Sequence, residues 1–137
     1  MSKFQNELRV LLADPSAFYR STIREYILPG LFPDIQEAQS ALDTVALLLA
    51  HPYDLFVVDW ELLTTNDGAL MELIVRRSKT IKRKMPVLAM MASPTQSSVM
   101  HASSNGIDMV LRKPFSPKAL QQRTRWLLDQ VNLEMAI

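Results

Sequence analysis

The stretch 54–60, Asp-Leu-Phe-Val-Val-Asp-Trp, constrains the fold more than any other part of the chain. Residues 55–58 are apolar without interruption, rich in β-branched and aromatic side chains, and they end on the carboxylate of Asp59. A short run of this kind reads as a strand buried on both faces, and such strands belong to parallel sheets covered by helices. Asp59 then stands at the carboxyl end of its strand, the edge of an open parallel sheet where ligands gather. An acid in that place is either a cap for the next element or a working group.

The rest of the chain repeats the pattern. Arg9–Ala13 is a second apolar run ending on Asp14, and Ser16 is placed to cap a helix over about 17–28. Phe18, Ile23, Tyr26 and Ile27 give that helix its apolar spacing, and Pro29-Gly30 stops it. Asp34–Ala38 is a weak strand. Ser40 precedes a helix over 41–50 whose apolar positions Leu42, Val45, Leu48 and Leu49 recur at helical spacing. After the central strand, 64–68 is a polar turn and 69–77 a helix with Leu70, Leu73 and Ile74 inward. A fourth strand over 86–91 leads into a helix of weaker pattern that starts at Ser93-Pro94 and stops at Asn105-Gly106. Met109–Arg112 is the fifth strand, followed by Lys113-Pro114-Phe115. Ser116-Pro117 opens the last helix, which runs to about 131 with Leu120, Trp126, Leu127 and Val131 as inner positions. Five alternations of strand and helix predict an α/β fold, a parallel sheet with helices on both faces. One domain over 1–137 is expected, with its core at about 8–131.

Composition narrows the function. Lys+Arg 15 against Asp+Glu 14 leaves a formal charge of +1, so nothing pulls the chain strongly towards nucleic acid or a membrane surface. With no cysteine, disulfides, thiolate metal sites and cysteine nucleophiles are excluded. The first residues carry no signal-peptide pattern and no apolar stretch approaches the ~20 residues of a membrane helix, so the cytoplasm is the expected compartment. Six basic residues fall in 76–84, a helix end in water before they are an anion patch. His51 and His101 lack ligand spacing, and Met85, Met90, Met91, Met100 and Met109 read as core filler.

Asp14, Asp59 and Lys113 each follow a strand at once, so all three come to one sheet edge. In the doubly wound order 2-1-3-4-5, strands one and three are neighbours, which sets Asp14 beside Asp59 with Lys113 approaching from strand five. Two close carboxylates repel and need a cation. Mg²⁺ suits such oxygens, and a lysine opposite offers a mobile charge for phosphoryl oxygens. A carboxylate nucleophile, a metal and an ammonium group are the parts that form an aspartyl phosphate.

These pieces resemble a response-regulator receiver domain of the CheY-like kind. The likeness covers nearly the whole chain: Val-Leu-Leu-Ala-Asp14, Tyr-Asp-Leu-Phe-Val-Val-Asp59-Trp, Asp67-Gly68, Met-Pro-Val-Leu, and Asn-Gly106-Ile-Asp-Met-Val-Leu-Arg-Lys113-Pro114-Phe115. The resemblance implies a flavodoxin-like (βα)5 three-layer sandwich with a five-stranded parallel sheet in the order 2-1-3-4-5. It implies Asp59 as phosphoacceptor, Asp14 as a Mg²⁺ ligand, Lys113 as the phosphate contact, and the Glu61 backbone carbonyl as a further metal ligand. The implied partners are a histidine kinase or phosphotransfer protein and a downstream protein. The latter would meet the face of helix 4, strand 5 and helix 5, where Gln121, Arg123 and Arg125 are candidate contacts and homodimerisation is a further use.

The sequence also departs from that family. Pro15 replaces the second acid after strand one, which should weaken Mg²⁺ binding unless the Glu61 side chain compensates. Met91 stands where a Ser or Thr closes strand four, and a thioether cannot donate to a phosphoryl oxygen. Ser93 would have to bend back to replace it. Val110 stands at the aromatic switch position, Leu63 at a usual proline, and the turn before Gly68 holds one extra residue. Two expectations follow: a receiver phosphorylated on Asp59 that signals by an altered route, and a pseudo-receiver that binds proteins without phosphorylation. A metal-dependent phosphatase-like enzyme is disfavoured, since no general base or leaving-group acid stands near Asp59.

Overall fold

The computed structural model describes residues 8–80 and 84–136, with side chains for 8–79 and 84–130. Five strands alternate with helices: β1 (Arg9–Ala13), α1 (Ala17–Tyr26), β2 (Asp34–Ala38), α2 (Ala41–Ala50), β3 (Leu55–Asp59), α3 (Trp60–Thr64), α4 (Ala69–Thr80), β4 (Val87–Met91), α5 (Gln96–Ser104), β5 (Met109–Arg112) and α6 (Pro117–Ala136). The strands pair in parallel in the order β2-β1-β3-β4-β5, the flavodoxin-like topology that the family resemblance implies. Among the described residues no helix is long and apolar enough to cross a membrane.

The continuous apolar runs are explained by a sheet with two wet-side covers. Successive strand side chains point to opposite faces. Leu11, Phe56, Val58, Val87 and Ala89 pack under α2, α3, α4 and α5, with Leu48, Leu63, Leu70, Ile74 and Ala102. Val10, Leu12, Leu55, Val57, Leu88 and Leu111 pack under α1 and α6, with Ile23, Ile27, Leu120 and Leu127. At the amino ends of the strands, two acids act as backbone latches. The Asp54 carboxylate accepts from Arg9 N–H at 2.8 Å, and that of Asp108 accepts from Val87 N–H at 2.8 Å. Of the basic run over 76–84, Arg76 pairs with Glu72, Arg77 donates to the Leu48 carbonyl and Lys84 pairs with Asp108. Lys82 and Arg83 lie outside the described residues.

Several sequence expectations need correction. Residues 60–64 form the short helix α3 where no helix was expected. Its N-cap is Asp59 itself, whose side chain accepts from Glu61 N–H. The α5 cap is Thr95 rather than Ser93, in a reciprocal box with Ser98. The extra residue before Gly68 is absorbed by three successive left-handed positions, Asn66, Asp67 and Gly68, the last free of side-chain strain as glycine. The spacing of Phe18, Leu42, Leu49 and Trp126 predicts inner positions, yet they are 71%, 73%, 70% and 52% exposed. The apolar residues of α2 encircle the helix: Ala41, Thr44 and Leu48 are buried, and Val45 and Leu47 pack partly against the same core. Val131 falls outside the described side chains.

Candidate functional site: a lysine between two carboxylates

At the carboxyl edge, β1 and β5 deliver their following residues, Asp14 and Lys113, and β3 its last residue, Asp59, to one crevice of about 720 Å³. Asp14 is fully buried. Its Oδ1 accepts from Ser16 N–H at 2.8 Å, an Asx turn that starts α1, and its Oδ2 accepts from Lys113 Nζ at 2.6 Å. Asp59 is less enclosed: Oδ1 accepts from Glu61 N–H at 3.0 Å and Oδ2 accepts from Lys113 Nζ at 3.0 Å. One ammonium therefore bonds both acids. Asp59 has the two characters that its position allowed, cap and crevice group, at the same time.

Lys113 reaches this place because its backbone N–H is fixed to the Met91 carbonyl at the end of β4, 2.8 Å away. Its Nζ also lies over the Tyr19 ring, 4.0 Å from the centroid, a cation–π contact supplied by the first turn of α1. Burial pulls the lysine pKa down, but the hydrogen bonds and charges of Asp14 and Asp59 outweigh it, and the ammonium stands above the ordinary lysine value. Tyr19 was not singled out in the sequence, since nothing local distinguishes a ring whose partner lies on β5. Arg20 belongs to the same frame: its guanidinium donates to the Asp14 carbonyl at 2.6 Å and pairs with Glu37 at 3.2 Å.

The departures have structural forms. Met91 is buried at the end of β4, and its sulfur accepts from the Ser98 hydroxyl at 3.6 Å. Thr95 and Ser98 line the crevice as well as exposed Ser93. The Glu61 carbonyl was expected to face a metal. It accepts from Thr65 N–H at 3.2 Å and from the Thr64 hydroxyl at 3.3 Å within α3. Leu63, at the usual proline position, is fully buried and lets the helical turn form. Pro15 is exposed and offers no carboxylate, whereas the Glu61 side chain is exposed at the crevice. Val110, at the switch position, is half-buried against the α2–α5 side of the core. Trp60 instead meets His101 of α5 edge-on, with ring centroids 5.5 Å apart.

Among the described residues no group of three acids or histidines is disposed to hold a metal. The carboxylates of Asp14 and Asp59 are the pair that Lys113 joins in the crevice. That pair is the minimum for Mg²⁺, which commonly takes one or two protein carboxylates and completes its shell with water and phosphate. The residues present thus fit a hydrated Mg²⁺ that phosphoryl oxygens help to hold, and not a cation caged by protein.

A doubly wound sheet with a carboxylate pair and a lysine at its switch-point crevice defines a class of regulatory receiver domain. The comparison with known families agrees: the response regulator receiver domain model matches residues 10–125, and the chain belongs to that family, which is regulatory. The chemotaxis protein CheY of Pseudomonas aeruginosa is 22% identical over 125 residues, covering 91% of this chain and 99% of that protein. The transcriptional regulatory protein ResD of Bacillus subtilis is 28% identical over 127 residues, 93% of this chain but 50% of that protein. Among solved structures, the receiver domain of Francisella response regulator 1452 superposes with a TM-score of 0.73 at 25% identity, covering 90% of this chain and 98% of that one. The receiver domain of a putative LuxO repressor protein from Vibrio parahaemolyticus reaches a TM-score of 0.80 at 18% identity, covering 94% and 95%.

Proposed function

We propose that this receiver domain accepts a phosphoryl group on Asp59 from the phosphohistidine of a histidine kinase or phosphotransfer protein, and passes the signal on by protein contacts. The observation that carries this reading is the Lys113 ammonium bonded to both Asp14 and Asp59 in an open crevice. In the transfer, an Asp59 carboxylate oxygen attacks phosphorus, the O–P bond forms, and the P–N bond to the donor imidazole breaks. The imidazole leaves as a neutral ring by taking up a proton. Bound Mg²⁺, held by Asp14 and Asp59, would neutralise phosphoryl charge. Lys113 is already charged and positioned, so it can exchange a carboxylate partner for a phosphoryl oxygen without crossing the crevice. The face carrying Gln121, Arg123 and Arg125 is the proposed site of downstream contact. The cytoplasm is the compartment in which such donors would be met.

A second reading has specific support. Met91 cannot donate to a phosphoryl oxygen, and the Glu61 carbonyl is committed to α3. Both features suit a module that binds partners without phosphorylation. The two readings separate in one experiment: the protein is incubated with Mg²⁺ and acetyl phosphate, then with a phosphorylated histidine donor, and its intact mass is read. Gain of one phosphoryl group that disappears in Asp59→Asn supports phosphotransfer. An unchanged mass with both donors selects the phosphorylation-independent module.

A further inference from the structure

The exposed apolar face of α2 belongs to neither the crevice nor the face of α5, β5 and α6. Leu42, Ala46 and Leu49 recur at i, i+4 and i+7 and form one stripe, with Ala50 beside it. Leu42 and Leu49 are 73% and 70% exposed, while Thr44 and Leu48 on the opposite side are buried. Asp43 is the helix's single charged residue. A helix that is apolar all round is normally enclosed on every side. Here the sheet encloses one side, and nothing within the described chain covers the other.

The ends of the stripe differ in charge. Asp43 lies in the first turn of α2. At the last turn the Arg77 guanidinium of α4 donates to the Leu48 carbonyl and brings a positive charge to that end of α2. A helix laid antiparallel across this one with the same stripe would set leucine on leucine. It would also bring each acidic end to the partner's basic end. A second copy of this chain, related by a two-fold axis, meets both conditions at once, because such an interface is self-complementary. We propose that the α2 stripe is a homodimer face, used independently of phosphorylation at Asp59.

Size sets the strength. A stripe of two leucines flanked by alanines covers on the order of 400 Å². Two such stripes bury about 800 Å², short of the ~1,200 Å² at which specific stable interfaces begin. The dimer is therefore weak and concentration-dependent, with a dissociation constant on the order of 100 µM or above.

Sedimentation velocity on the full chain, from about 10 µM to 1 mM, tests the proposal. The expected result is a reversible rise in sedimentation coefficient towards a dimer. Leu42→Glu and Leu49→Glu should each abolish that rise, while Trp126→Ala on α6 leaves it unchanged. Asp43→Lys, which sets like charges at both ends of the paired helices, should weaken association about tenfold. Circular dichroism shows whether each variant is folded, and both leucines are exposed enough for the fold to tolerate the change. A chain that stays monomeric at 1 mM overturns the proposal. So does a dimer insensitive to both leucine changes, or a stripe that binds a different protein while the chain itself remains monomeric.

Discussion

Lys113 is the residue on which the crevice depends. It is 9% exposed and faces Asp14, which is fully buried, and Asp59. Removing the cation leaves two like charges in a site where one has no access to water. Lys113→Met should therefore cost about 3–5 kcal/mol, the range for a buried pair that loses one partner, read by urea unfolding with an unchanged slope. Asp59→Asn acts in the opposite sense. Asparagine is as good an N-cap as aspartate and can still accept from Glu61 N–H, while one of the repelling charges is gone. Its stability should stay within about 1 kcal/mol of the parent, although phosphoryl uptake ends. A loss of several kcal/mol in this variant would make Asp59 a structural cap before anything else. Pro15 gives a third expectation. Pro15→Asp supplies the missing carboxylate beside Asp14, and Mg²⁺ should bind at least about tenfold more tightly, followed by the fluorescence of Trp60 next to Asp59.

At the scale of elements, what could be read in advance depended on how many roles each residue plays. β1, β3 and β4 were legible because their side chains are buried on both faces, so 10–13, 55–58 and 87–91 are apolar without a break. The shared edge of Asp14, Asp59 and Lys113 followed from strand ends, while their proximity also needed the strand order 2-1-3-4-5 that the family resemblance supplied. Helix α3 was hidden because Asp59 is both a crevice group and the cap of that helix. Helix α2 misled for the reverse reason: periodicity locates a buried face only when the other face is polar, and Leu42 and Leu49 are not. The Tyr19–Lys113 contact and the Ser98–Met91 bond join separate elements and have no local pattern. Helix α5 shows what caps contribute when the apolar stripe is weak. Thr95 and Ser98 each accept from the other's backbone N–H, at 3.0 and 2.9 Å. Thr95→Ala should lower stability by about 1 kcal/mol in thermal or urea unfolding, and Thr95→Asp should recover most of it.

Across the whole molecule, the two cores share every strand of one sheet, so a charge buried at the sheet edge acts on the stability of the entire fold. The Lys113 pKa is raised in the folded chain, burial opposing and the two carboxylates prevailing. The folded state therefore holds this proton more firmly than the unfolded state does. Its stabilisation is complete below the unfolded lysine value of about 10.4 and is lost as pH rises through the higher folded value. Between the two values the unfolding free energy should fall by as much as about 1.4 kcal/mol per pH unit from this group. Tyr53 shifts in the same sense, raised chiefly by burial, and its hydroxyl is paired with Gln36, so it adds to the alkaline slope. A difference measurement separates them. Urea unfolding of the parent, Lys113→Met and Tyr53→Phe is followed from pH 7 to 11. The parent and Tyr53→Phe should both steepen above pH 10, whereas Lys113→Met begins lower and loses the lysine share of the slope. Equal slopes in the parent and Lys113→Met would mean that the ammonium is not held by the carboxylates in solution, and the crevice would lose its resident cation.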